Sequence, residues 1–280
     1  MPVIFYAHGG AYISGDKEEN QNYMVRLANE GYVVVNINYA LAPNYIFPTP
    51  LTQMKKVWDF IHFTETTLEE KYEIKMDMDN IFLGGDSAGA NLVTLFTAYN
   101  LEPKYFANAP HFSKHDDDII VDNFKSNGLF LFCGVFDFNY FGEMSGIIGF
   151  ATTRIARGIT GFWDWEASGV ATEMSLYTKN QNEGFNSMIS NSFPPCYITD
   201  GSETVSLNKQ GETVVALLSE LEIDVKSRFF PDLIHEFQFM MGNVPNDDKL
   251  SESERAKIDA CITAANLVFA DVIEFLDSNS

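Results

Sequence analysis

The sequence predicts an α/β fold, a three-layer sandwich in which a mostly parallel sheet of about six strands is covered on both faces by helices. Three observations predict it. Apolar runs of strand length alternate along the chain with stretches of helical period, a pattern that builds βαβ crossovers. The 280 residues suffice for a large core. A glycine-bracketed turn at 85–89 stands between one such strand and one such helix. The length suits one α/β domain carrying an insertion as well as it suits two small domains; with no internal repeat or low-complexity linker, the chain reads as a single domain over 1–280.

Taken in order, residues 3–6 form a short apolar strand. A polar stretch from Asp16 leads into a helix over 20–29, stopped by Gly31. Residues 32–37 are rich in β-branched side chains and read as a buried strand. After a loop punctuated by Pro43, Pro48 and Pro50, Met54, Val57, Trp58 and Ile61 fall at helical spacing within 51–63. A strand at 81–83 precedes a helix over 91–99. Residues 103–127 look like a loop excursion carrying Asp116-Asp117-Asp118, and 129–135 is a strand again. Residues 136–193 lack clear strands, hold Phe141, Phe150, Phe162, Trp163 and Trp165, and read as an aromatic-rich helical cap inserted over the edge where strands end. Strands at 196–198 and 225–230 flank a helix over 208–221. A long closing helix spans 251–276, with Ser251-Glu252-Ser253-Glu254 at its acidic start.

Composition narrows the function. The 39 acidic against 18 basic side chains give a formal charge of −21, so the surface repels nucleic-acid phosphates and anionic lipid. No run approaches the roughly 18 apolar residues a membrane span needs. The N-terminal Met-Pro-Val-Ile-Phe-Tyr-Ala has no basic region and too short an apolar run for a signal peptide. Cys133, Cys196 and Cys261 form no disulfide framework and fit a reducing compartment. The reading is a soluble cytoplasmic protein without nucleic-acid partners.

The chemistry is carried first by Gly85-Asp86-Ser87-Ala88-Gly89. In a strand-turn-helix context this spacing makes a sharp elbow, with glycines where side chains would collide and the serine hydroxyl standing proud near a helix N-terminus. The second signal is His8-Gly9-Gly10-Ala11-Tyr12, directly after the first strand. Its glycines let backbone N–H groups face a reacting oxygen, so Gly9, Gly10 and Ala88 are the expected oxyanion-hole donors. Of the five histidines, His8 belongs to that segment and His62 to a helix. His111 and His115, four residues apart beside three aspartates, invite a metal but read better as a solvated loop. His235, just after the last strand, is the expected base for Ser87. Asp200 and Glu203 both follow the strand at 196–198 in the order Ser, acid, His; spacing barely separates them. The run Gly84-Gly85 to Gly89 has no following Lys, so it is no phosphate loop, and no cofactor or metal is implied.

These residues resemble the hormone-sensitive-lipase-like carboxylesterases of the α/β-hydrolase superfamily. The likeness rests on His8-Gly9-Gly10-Ala11-Tyr12, Asn38-Tyr39-Ala40-Leu41-Ala42-Pro43, Gly85-Asp86-Ser87-Ala88-Gly89-Ala90-Asn91-Leu92 and Ile234-His235-Glu236-Phe237, in order along the chain. It implies an α/β-hydrolase fold with Ser87 as nucleophile, His235 as base, and Glu203, in Gly201-Ser202-Glu203, as triad acid in place of the more usual Asp. Ala11 stands where the family has a third glycine, and Ala40 and Asn44 replace an Arg and a Glu that would pair. The acid loop lacks the family's downstream Asp. Family members carry further strands before the oxyanion strand, so this sheet is expected to lack them and to leave 32–37 near an edge. An uncovered apolar edge invites a homodimer. The activity implied is hydrolysis of short- to medium-chain acyl esters, small-molecule substrates, through an acyl-serine. The same residues also suit an amide or formamide hydrolase, or an inactive ligand-binding protein on that fold.

Overall fold

The computed structural model describes residues 1–102, 111, 116–143, 146–179, 185–201, 207–241 and 250–280. The apolar runs become β1 (Pro2–Ala7), β2 (Val33–Ile37), β3 (Asp77–Asp86), β4 (Gly128–Phe132), β5 (Tyr177–Lys179), β6 (Phe185–Ser187), β7 (Cys196–Gly201) and β8 (Val225–Phe230). The principal helices are α1 (Gln21–Asn29), α2 (Thr49–Tyr72), α3 (Ala88–Leu101), α4 (Gly146–Thr160), α5 (Asn208–Glu220) and α6 (Glu252–Asn279). Six strands form one sheet in the order β2-β1-β3-β4-β7-β8, with every neighbouring pair parallel. β2 is an edge strand, as expected.

Alternation along the strands makes the two outer layers, because successive side chains leave a strand on opposite faces. Val3, Phe5, Leu83, Leu129, Leu131 and Ile198 point into one core with Trp58 of α2, Leu95 of α3 and Leu218 of α5. Ile4, Tyr6, Phe82, Phe130 and Tyr197 point into the other with Leu27 of α1 and Val268, Val272 and Phe275 of α6. α3 is buried from Ala88 through Asn100, which is why its sequence shows no polar face. α6 starts at the expected capping box: Glu254 N donates to Ser251 Oγ at 3.3 Å and Ser251 N to Glu254 Oε2 at 2.8 Å.

Three elements differ from the sequence reading. β3 runs ten residues instead of three, because it pairs with β1 from Asp77 and with β4 through Gly84, Gly85 and Asp86; the Phe130 ring fills the space over Gly84, where a Cβ would stand 2.2 Å from Phe130 Cζ. α2 continues past Phe63 along a polar, largely solvated stretch to Tyr72, where Glu73 turns left-handed at φ 55. The segment read as strandless contains β5 and β6, an antiparallel pair of three-residue strands, too short to register as apolar runs.

Between β4 and β7 the chain also forms single helical turns at Tyr140–Glu143 and Val170–Glu173. Asn91 Nδ2 donates to Met174 O at 2.9 Å and Tyr99 Oη to Glu173 O at 2.7 Å, tying this segment to α3. Its aromatics divide: Trp165 is buried edge-on against Phe138, whereas Trp163 is 79% exposed beneath the Arg157 guanidinium. Cys133, Cys196 and Cys261 are free and buried. No helix among the described residues is long and apolar enough to cross a membrane.

Candidate active site

The elbow forms where β3 stops at Asp86 and α3 starts at Ala88. Between them Ser87 takes φ 50 and ψ −116, a conformation costly for an L-residue. It is held there by its own amide, which donates to Phe132 O at 2.7 Å. The flanking glycines are sterically required. A Cβ on Gly89 would stand 2.0 Å from Ala7 O, and one on Gly85 2.5 Å from the Gly89 carbonyl carbon.

The loop after β8 returns to this point. His235 Nε2 lies 3.2 Å from Ser87 Oγ, across 148 residues of sequence. Burial lowers the imidazole below its ordinary value, while the neighbouring Glu236 carboxylate works in the opposite direction. The ring is therefore biased toward the neutral form, able to accept a proton.

His8 is buried, with its ring stacked on Tyr39 and its Nδ1 2.7 Å from Gly9 O. Tyr39 Oη donates to His8 O at 2.8 Å, so this histidine and Tyr39 hold the shape of the oxyanion segment. One expected donor is corrected. The Gly9 amide donates to Asp86 Oδ2 at 2.8 Å and is committed to that carboxylate. Gly10, at φ 101, and Ala11, at φ 50, carry the backbone onward, and their amides make no hydrogen bond among the described residues. Holding an alanine in that region costs about 1 kcal/mol. Ala88 N sits at the amino end of α3 beside Ser87.

Asp86 was not singled out from the sequence, and it is a hub. Its Oδ1 accepts from Tyr6 Oη at 2.8 Å and Asn20 Nδ2 at 2.9 Å, and Oδ2 accepts from Gly9. It thus joins the elbow to β1, to the residue preceding α1 and to the oxyanion segment. Burial, and then the Glu236 carboxylate, push its carboxyl well above the usual range. Its place before the serine was the available signal; its partners were not readable.

Of the two candidate acids, Glu203 lies outside the described residues. Asp200, near the end of β7, is 2% exposed, and among the described residues neither carboxylate oxygen has a hydrogen-bond partner of good geometry; His235 Nδ1 is likewise buried and unpartnered among them. Cys133, Asp200 and His235 bring donor atoms within 4.8 Å of one another. Burial pushes Asp200 up to about 7, although the Cys133 thiol and the Gly201 amide approach it. Thiol, carboxylate and imidazole are zinc donors, but this imidazole is the one turned to Ser87. Elsewhere, His62 Nδ1 is 2.8 Å from Trp58 O on α2. His111 Nδ1 pairs with Glu173, and His115 lies outside the described residues.

With this geometry in place, comparison with known proteins is direct. The chain matches the alpha/beta hydrolase fold family over residues 4–239. It belongs to that family. A protein of Acanthamoeba polyphaga mimivirus assigned to the alpha/beta hydrolases is 29% identical over 103 residues, 36% of this chain and 28% of that protein. The match therefore spans little more than a quarter of that relative's length. Esterase B of Lactobacillus rhamnosis superposes with a TM-score of 0.64 over 96% of this chain and 78% of its own, at 19% identity. An esterase of the bacterial hormone-sensitive lipase family superposes at 0.62 over 99% of this chain and 76% of its own, also at 19% identity. The hormone-sensitive-lipase-like grouping implied by the motifs agrees with the family and with the fold of these neighbours.

Proposed function

We propose that this hydrolase-fold chain is a serine carboxylesterase acting on short- to medium-chain acyl esters. The observation that carries the reading is the 3.2 Å approach of His235 Nε2 to Ser87 Oγ at a strained elbow. His235 takes the hydroxyl proton as Oγ attacks the ester carbonyl carbon, giving a tetrahedral oxyanion. Collapse expels the alcohol, which receives the proton from Nε2 and leaves an acyl-serine. Water then repeats the sequence, with its proton taken by His235 and the acid released from Ser87. The amides of Gly10 and Ala88 stabilise the oxyanion, each worth about 3 kcal/mol; Gly9 contributes indirectly, through Asp86.

A carboxylate on the far side of His235 would fix its tautomer and stabilise the imidazolium. The family resemblance assigns this to Glu203, and burial beside His235 makes Asp200 the competing candidate. The segment 136–193 serves in this reading as the cap that shapes the acyl pocket. The outer edge of β2 is proposed as a contact for a second copy, testable by sedimentation. The free cysteines support a cytoplasmic setting.

The deciding experiment is fluorophosphonate labelling of the purified chain, with the modified residue located by mass spectrometry, alongside hydrolysis of a p-nitrophenyl ester by Ser87→Ala. Labelling at Ser87 and loss of turnover are expected. Wild-type activity in the variant would overturn the assignment of Ser87 as nucleophile; no labelling and no turnover in the wild type would leave a non-catalytic binding role. A panel of esters against aryl amides separates the carboxylesterase from an amide hydrolase.

A further inference from the structure

Glu236 follows the base directly in the chain and takes φ 62, with its amide donating to Cys133 Sγ at 3.4 Å. In this position its Oε1 lies 3.8 Å from His235 Nε2, the nitrogen that faces Ser87. The same oxygen is 2.8 Å from where a Cβ on Gly9 would stand, a point itself 3.1 Å from Ser87 Cβ. The carboxylate thus sits at the junction of nucleophile, base and oxyanion segment. Its side chain is 37% exposed. Among the described residues no lysine or arginine lies within ion-pair distance of it, since the basic side chains that pair do so elsewhere. Its acidic neighbour, Asp86, accepts from Tyr6, Asn20 and Gly9. The Asp86 carboxyl, pushed well above the usual range by burial, also hydrogen-bonds to Glu236, which leaves the negative charge of the pair on Glu236.

A negative charge at this place acts on the reaction in two opposed ways. It favours the imidazolium that forms on His235, and it disfavours the oxyanion that forms beside it. For an uncharged ester these effects offset one another. A positive charge brought in by the substrate gains from the carboxylate without changing either, and the chain's formal charge of −21 draws cations toward it. An anionic ester is opposed by both the local and the overall field.

We infer that Glu236 is a specificity-determining residue that selects esters bearing an ammonium group within a few ångströms of the scissile carbonyl. The inference rests on the hydrolase reading above and names its substrate class. The cation has two chemical sources, the alcohol and the acyl group, and the test separates them. For the alcohol side, butyrylcholine is compared with 3,3-dimethylbutyl butyrate, its uncharged isostere. For the acyl side, the p-nitrophenyl ester of 4-(trimethylammonio)butanoate is compared with that of 5,5-dimethylhexanoate. Each kcat/KM ratio is measured for the wild type and for Glu236→Gln.

A cation preference of about five- to tenfold is expected in at least one pair, as for a half-exposed ion pair at low salt. It should fall to about one in Glu236→Gln and decline in the wild type as salt is raised. The ratio cancels any general effect of the substitution on turnover, and the salt series on the wild type needs no variant to fold. A ratio of one in both wild-type pairs, or an equal ratio in Glu236→Gln, overturns the inference. Failure of the hydrolase reading looks different: no substrate is turned over and fluorophosphonate does not label Ser87.

Discussion

Asp200→Asn isolates the energetics of the buried carboxylate beside the base. Asp200 is 2% exposed with no hydrogen-bond partner of good geometry among the described residues, and burial pushes its carboxyl from 3.8 up to about 7. The folded state therefore holds this proton more tightly than the unfolded state does. Stability is full below the unfolded value and is lost as pH rises through the folded value near 7. At about 1.4 kcal/mol for each pH unit between the two values, the complete loss is about 4 kcal/mol. Roughly 2 kcal/mol of it is already present at pH 5, and all of it at pH 9. Asparagine does not titrate, so the variant should gain about 2–3 kcal/mol more over the wild type at pH 9 than at pH 5, or about 5 °C in Tm for a chain of this size. Thermal melts of both proteins at the two pH values measure this. A Tm difference that is the same at pH 5 and pH 9 would refute the reasoning and mean that the ionised carboxylate is compensated. The same variant distinguishes the two acids. If Asp200 supports His235, ester turnover falls on the order of 10³–10⁴-fold; if Glu203 does, Glu203→Gln shows that loss and Asp200→Asn does not.

Four further outcomes are expected. Activity should be retained below pH 6.5 and be lost on the acid side as His235 protonates, because burial lowers its pKa; Glu236→Gln should move that limb of the kcat/KM profile further to acid, since the carboxylate that raises His235 is gone while Asp200 and Cys133 remain. Gly89→Ala should cost at least about 3 kcal/mol in a denaturant melt, because its Cβ would meet Ala7 O at 2.0 Å, a backbone atom that cannot swing aside. Phe275→Ala should cost about 3–5 kcal/mol, since this fully buried ring packs on Phe82 and Tyr197 between α6 and the sheet. Ser251→Ala should cost about 1 kcal/mol by removing the cap of α6, and should leave ester hydrolysis at the wild-type rate.

Much of the architecture was legible because its causes are local. The β-branched run before Asn38 and the Met54, Trp58, Ile61 spacing are periodicities that a few residues set among themselves. The elbow was legible for the same reason: Gly85 and Gly89 answer a collision within five residues. What the sequence missed has non-local causes. β5 and β6 are short strands that exist only because each pairs with the other. Gly9 and Gly10 look equivalent in the chain, yet the first gives its amide to Asp86, whose orientation depends on Tyr6 and Asn20.

The sequence by itself thus determined the parallel α/β sandwich and the strand-turn-helix elbow around Ser87, for which periodicity, glycine sterics and chain order are sufficient; the edge position of β2 was implied by the family resemblance. Only the tertiary structure decided that His235 Nε2 reaches Ser87, that the Gly9 amide is committed, that Asp200 is buried beside the base and that Glu236 stands over the oxyanion segment. These depend on where β4, β7 and β8 end relative to β3. Parallel crossovers set that arrangement at the carboxyl edge of the sheet, between residues up to 148 positions apart.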